Sequence, residues 1–267
     1  METILDNILR EKRREIAIEK KTVSLEQLRE SLYYSRPRLS MSRSLTQTAP
    51  AGIIAEFKRR SPSKGFIHEH ANPATVIGGY ARKGAAACSV LTDRSFFGGS
   101  ASDLAAARQA ATDTPLLRKD FTIDPYQLHQ AAAWGADAVL LIAAALDRQE
   151  CRELACQARE LKLEVLLEVH NEEELAYISP EVNMVGVNNR DLRTFRTDVQ
   201  TSLRLAGAIP QGVVRVTESG IDAPQTVSRL KAAGYDGFLI GELFMREADP
   251  AGALETFLAD VDQDMRP

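Results

Sequence analysis

The sequence predicts an α/β fold, a (β/α)8 TIM barrel carrying an N-terminal helical extension. From residue 52 onward, eight short β-rich runs alternate with helical segments. Most runs are apolar throughout, as parallel strands covered on both faces are. Sharing residues 52–267 among eight units allots about 27 residues to each, enough for a strand, a helix and two short loops. Eight equal β–α modules close into a barrel. An open doubly wound sheet is the competing layout, but no G-x-G-x-x-G follows the first run, which weakens it as a dinucleotide binder.

Residues 1–48 lie outside the eight units and are expected to pack on the barrel as a helical extension. Residues 49–267 form the barrel, a single catalytic domain. In the extension, Ile4, Leu5, Ile8 and Leu9 recur at helical spacing among charges, so this helix has a face to bury. A Ser/Arg-rich connector, 35–48, follows. The strands are expected at 52–58, 87–91, 116–119, 138–142, 163–169, 184–188, 213–217 and 237–240. Between them, Asn72-Pro73 supplies a cap and a first-turn proline. Asp147 with Glu150, and Asn171 with Glu174, have capping-box spacing. Gly84, Gly135 and Gly234 each precede a strand and suit the left-handed residue that ends a helix.

Composition narrows the function. The chain has 267 residues, a net charge of −4, 44% hydrophobic and 26% charged residues. That is ordinary globular composition, with no basic surplus for nucleic acid and no apolar run long enough for a membrane span. The three cysteines, Cys88, Cys151 and Cys156, form no C-x-x-C and suit a reducing compartment. His68-Glu69-His70 has too few further ligands at metal spacing, so no metal is expected. The first 21 residues lack a continuous apolar core and a cleavage site, so a cytoplasmic location is expected. A monomer, at most a weak homodimer, is expected.

In such a barrel, chemistry sits at the C-terminal edge of the strands. Glu56 and Lys58 alternate to one side of the first strand, and Asn188 and Arg190 to one side of the sixth. Lys119, Glu168, Glu218 and Gly241-Glu242 end four other strands. Three acids, Glu56, Glu168 and Glu218, and three bases, Lys58, Lys119 and Arg190, thus converge on one concavity, where unpaired burial would cost several kcal/mol per ion. Ser219-Gly220 and Gly241 provide small residues where these barrels bind phosphate, although both glycines would also serve tight turns. Lys58 and Arg190 can add charge for a phosphate or a carboxylate.

Several segments carry a family resemblance. They include Ile54-Ala55-Glu56-Phe57-Lys58-Arg59-Arg60-Ser61-Pro62-Ser63, Leu117-Arg118-Lys119-Asp120-Phe121, Val187-Asn188-Asn189-Arg190-Asp191-Leu192 and Glu218-Ser219-Gly220-Ile221. In order and spacing they resemble the indole-3-glycerol-phosphate synthases of tryptophan biosynthesis, across nearly the whole barrel. The resemblance implies a carboxy-lyase. Its substrate is 1-(2-carboxyphenylamino)-1-deoxyribulose 5-phosphate, a small molecule closed to indole-3-glycerol phosphate with loss of CO₂ and water, without cofactor. It implies Lys119 as general acid, Glu168 as the base or proton relay in the dehydration, and Glu56 and Asn188 as orienting groups. Lys58, Ser61 and Arg190 would hold anionic groups. Glu218 and Ser219 would complete the polar wall, and the backbone of Gly220 and Gly241 would bind phosphate. Either Lys58 or Lys119 can act at each proton-transfer step. Glu242 stands where some members have Ser, and its carboxylate is expected to turn aside and leave its N–H to the phosphate. A Schiff-base aldolase acting on a sugar phosphate, with Lys119 or Lys58 as nucleophile, is the alternative.

Overall fold

The computed structural model describes residues 3–48, 51–191 and 194–265. Eight strands form a closed parallel barrel: β1 (Ile53–Phe57), β2 (Ala87–Leu91), β3 (Leu116–Lys119), β4 (Ala138–Ile142), β5 (Glu164–Val169), β6 (Met184–Asn188), β7 (Val214–Glu218) and β8 (Gly237–Ile240). Each strand pairs with its sequence neighbours, and β8 closes on β1. Five strands have the expected bounds. β1 and β5 are trimmed at their ends, and β7 is shifted by one residue, which brings Glu218 into the strand.

The two-residue period of a strand splits the core in two. Outward residues such as Ile53, Ala55, Val90, Val139, Val165, Leu167, Val185 and Phe238 pack under the helices. Inward residues such as Ile54, Ala87, Leu117, Ala138, Leu140, Leu166, Met184, Val216 and Leu239 fill the barrel itself. The helical punctuation holds at most positions. Asn72 caps Pro73–Arg82, Asp147 and Glu150 form a capping box, and Gly84, Gly135 and Gly234 have φ of 95°, 95° and 96°.

Two expectations are corrected. After β5 there is no α-helix, only a 3-10 segment, Glu173–Tyr177, closely followed by Pro180, which stops it. Glu174 N–H donates to Asn171 Oδ1 at 3.0 Å, but the Glu174 carboxylate reaches past Asn171 to accept from the His170 N–H at 2.8 Å. Nor is the 35–48 stretch merely a connector. It contains α-helix Met41–Arg43 and π-helix Ser44–Thr48, and Met41 and Leu45 plug the barrel floor among its inward residues. Their four-residue spacing puts both on one face, hidden in the sequence among Ser and Arg. Asp137 holds this segment through Arg36 at 2.6 Å and Leu39 N–H at 2.8 Å, and Glu164 holds it through Ser40 and Ser42 at 2.7–2.8 Å.

The extension begins with α1 (Ile4–Thr22) and α2 (Leu25–Arg29). Ile16 and Leu28 pack with Tyr126 and Ala133 of the helix Pro125–Trp134. Among the described residues no helix is long and apolar enough to cross a membrane. Because Met41 is buried at the floor, away from the strands' C-terminal edge, Met41→Ala is expected to cost about 2–4 kcal/mol in urea unfolding and to leave KM unchanged.

Candidate active site

The C-terminal edge of the barrel opens into a cavity of about 510 Å³. All twelve residues expected at the site line it: Glu56, Lys58, Ser61, Lys119, Glu168, Asn188, Arg190, Glu218, Ser219, Gly220, Gly241 and Glu242. Leu192, at the end of a matching segment, lies outside the described residues.

Strand parity explains the convergence. Glu56, Lys119, Glu168, Asn188 and Glu218 are inward residues near their strands' ends. Lys119 Nζ lies 3.2 Å from Glu168 Oε2 and 3.4 Å from Glu218 Oε2. Asn188 Nδ2 donates to Glu168 Oε1 at 3.1 Å, and Lys58 pairs with Glu56 at 2.7 Å. A Cβ on Gly241 would collide with the Glu56 carboxylate, so glycine is required beside it. Ser219 and Gly220 turn sharply after β7, with φ of 70° and 74°, and Asn189 Nδ2 ties down the Ser219 carbonyl at 3.0 Å.

Burial disfavours the Lys119 ammonium, but Glu218, Glu168 and Glu56 outweigh that and raise its pKa above the ordinary lysine value. Burial likewise opposes the Glu168 carboxylate, yet Lys119, His170 and Asn188 hold its pKa well below the usual range. Glu218 goes the other way. Burial and the Glu168 charge push it up to about 7, against the pull of Lys119. Two carboxylates facing one ammonium have therefore split, one held ionised and one titrating near neutrality.

Three buried polar atoms on this cavity have no protein partner among the described residues: Ser61 Oγ, Arg190 Nε and Glu218 Oε1. Buried polar atoms are normally paired, so these are candidates to meet a ligand in the cavity. Arg190 is oriented by a 3.0 Å bond from Nη1 to Ser63 Oγ. Glu242 reaches the rim, its carboxylate 3.6 Å from Lys64 Nζ. Much of the remaining lining is apolar, including Ile8 of α1, Phe97, Phe121, Leu140 and Ile142.

Sequence reasoning missed two ionic residues. Lys12 of α1 is 2% exposed, with Nζ 2.9 Å from Asp120, 3.0 Å from Asp93 and 2.7 Å from Glu15. Burial opposes its charge, but these carboxylates raise its pKa. Asp120 follows Lys119 in the chain, and Asp93 Oδ1 accepts the Phe96 and Phe97 N–H groups. Lys12 thus fastens α1 to two loops that shape the cavity. The signal was present, since Lys12 interrupts the buried stripe Ile8–Lys12–Ile16. The other residue is His170, beside Glu168 and Glu174.

A parallel barrel whose mouth holds a paired ammonium and unpartnered buried donors beside an apolar wall has the features of a TIM-barrel enzyme for a small molecule. The indole-3-glycerol phosphate synthase family matches residues 5–257, and the chain belongs to that family. An indole-3-glycerol phosphate synthase of Bacteroides thetaiotaomicron is 53% identical, over 98% of this chain and 100% of that protein. One of Salinibacter ruber is 46% identical, over 97% of this chain and 96% of that protein. The crystal structure of 3-hexulose-6-phosphate synthase from Salmonella typhimurium shares the fold, with a TM-score of 0.63 at 13% identity, covering 79% of this chain and 99% of that one.

Removing Lys12 leaves two buried carboxylates without their shared cation. Lys12→Met is expected to lose about 3–5 kcal/mol of stability in urea unfolding and to raise KM as α1 loosens over the cavity.

Proposed function

We propose that the chain catalyses the indole-3-glycerol phosphate synthase reaction. It closes 1-(2-carboxyphenylamino)-1-deoxyribulose 5-phosphate to the indole, releasing CO₂ and water. The observation that carries this reading is the Lys119 ammonium, held between Glu168 and Glu218 on a cavity that also presents Arg190 Nε and Ser61 Oγ.

Ring closure forms a carbon–carbon bond, so geometry comes first. The apolar wall of Ile8, Phe97, Phe121 and Leu140 suits the anilino ring, and the polar side suits the sugar chain. Lys119 Nζ donates to the ribulose C2 oxygen as the ring carbon attacks C2, so the oxyanion becomes a hydroxyl. Loss of CO₂ then removes the carboxylate from that ring carbon and its electron pair stays in the ring. Dehydration expels the C2 hydroxyl with a proton from Lys58 or Lys119, while Glu168 takes a proton from the intermediate. Glu218, 3.4 Å from Lys119, is placed to return the proton that Lys119 gives up. Glu56 and Asn188 orient Lys58 and Glu168. Arg190, Lys58 and Ser61 receive the substrate's anionic groups, and the turns at Gly220 and Gly241 receive the phosphate. The reading includes a cytoplasmic, single-chain enzyme without a nucleic-acid partner, which the mild acidity and unpaired cysteines support.

The Schiff-base alternative needs a neutral lysine. Lys119 is instead held protonated by its carboxylates, and Lys58 is paired with Glu56. Fluorescence-monitored turnover of the anilino-deoxyribulose phosphate tests the assignment. Lys119→Ala is expected to lose about a thousandfold or more in kcat, and borohydride with a sugar phosphate to trap no adduct. Unchanged kcat in that variant would remove Lys119 as the acid, and a trapped adduct would favour the aldolase.

The proton-returning form of Glu218 is the carboxylic acid, which is depleted as pH rises through about 7. The wild-type kcat is therefore expected to decline on the alkaline side near pH 7. Glu218→Gln, neutral at every pH, should lower kcat and abolish that limb in a pH–rate profile.

A further inference from the structure

We propose that His170 is a positioning residue for Glu168, an imidazolium that aims its carboxylate and keeps it ionised while Lys119 gives up its proton. The proposal rests on the role given to Glu168 above and adds a residue outside that machinery.

The geometry is specific. His170 follows β5 directly, two residues beyond Glu168, so strand alternation brings both side chains to the same side. Each Glu168 oxygen faces a cation. Oε2 lies 3.2 Å from Lys119 Nζ, and Oε1 lies 3.3 Å from His170 Nε2. The second contact is an ion pair without hydrogen-bond alignment, and Oε1 also accepts a hydrogen bond from Asn188 Nδ2 at 3.1 Å.

The far side of the ring is held as well. His170 Nδ1 lies 3.2 Å from Glu174 Oε2, which also accepts the His170 backbone N–H at 2.8 Å. Glu174 is fixed in turn by Asn171, whose Nδ2 donates to Oε1 at 2.8 Å. An imidazole with a carboxylate at each nitrogen is best satisfied with protons on both. Burial disfavours that charge, but Glu168 and Glu174 together push the His170 pKa up to about 10.

The consequence appears during turnover. Across the cavity Glu168 faces Lys119 and, beyond it, the carboxylates Glu218 and Glu56. Once Lys119 has passed its proton to substrate, its positive charge is gone and those acids remain. Glu168 would then tend to take a proton before its own step. Among the described residues His170 is the one cation still beside it, and Glu174 keeps that cation charged and aimed.

The test pairs an imidazole titration by NMR, without substrate, with pH profiles of kcat. In the wild type, His170 is expected to stay protonated past pH 8, and its pKa is expected to fall in both Glu168→Gln and Glu174→Gln. His170→Gln, which retains a donor but no charge, should shift the acid limb of kcat upward by about one pH unit or more. KM should change less than about twofold, and much of the rate should return as the pH rises toward neutrality, before the alkaline limb assigned to Glu218 sets in. A merely structural role would lower kcat at every pH instead. His170 titrating near 6.5, or superimposable kcat profiles for His170→Gln and wild type, would overturn the inference. Full turnover by Glu168→Gln would remove the assigned role of Glu168. The substrate-free titration still decides the ionic pairing separately.

Discussion

Closing eight parallel strands on themselves sends every second side chain into one narrow space, and at the C-terminal edge that space is the active site. Everything else at the mouth follows from this constraint. Deeper along the barrel the inward positions are Ile54, Leu117, Leu140, Leu166, Met184 and Leu239, which fill the interior. One or two steps further along the same faces stand Glu56, Lys119, Glu168, Asn188 and Glu218. The same parity that builds a dry core delivers these groups to one place, so their positions are as rigid as the sheet beneath them.

That rigidity has an electrostatic cost, and the pattern of pairing shows how it is met. An unpaired buried ion costs several kcal/mol, so the three carboxylates must be matched. Glu56 takes Lys58, and Glu168 and Glu218 share Lys119. Sharing leaves one carboxylate short of compensation. Glu168 has additional help from Asn188 and His170, whereas Glu218 has an unpartnered oxygen, and their pKa values separate accordingly. In the proposed reaction an anionic substrate enters this balance as a further charge, which Arg190 Nε and the turns after β7 and β8 would receive.

Most of the barrel was legible because its period is simple. Apolar runs recur in each module, cap residues and helix-ending glycines mark several of them, and residue parity then predicts which end residues face the mouth. The twelve cavity residues could be named on that basis and on the matching segments. What stayed hidden depends on contacts between distant parts of the chain. Lys12 reads as one more charge on a charged helix until Asp93 and Asp120 are seen around it. Met41 and Leu45 are two apolar residues in a polar stretch, and only the shape of the barrel floor gives them a place. Glu174 has the spacing of a capping residue, but its carboxylate serves His170.

The extension is a strap rather than an appendage, and β3 shows why. At the mouth, Lys12 binds Asp120, one residue beyond β3 and next to Lys119. At the floor, Arg36 binds Asp137, whose other oxygen accepts the Leu116 N–H at the start of β3 and pairs with Arg108. Between these anchors the extension follows the helix Pro125–Trp134, where Tyr126 donates to the Val23 carbonyl at 2.8 Å and Ser31 donates to the Ala133 carbonyl at 3.2 Å. The same stretch of chain therefore touches both ends of the strand that carries Lys119. At the mouth the anchor is a buried ion, Lys12, whose loss would leave Asp93 and Asp120 without their shared cation at a cost of several kcal/mol. At the floor the half-buried Arg36 shares Asp137 with Arg108. In the proposed reaction Lys119 must meet the carbonyl oxygen within a fraction of an ångström, and that kind of support serves it because small misplacements cost large factors in rate.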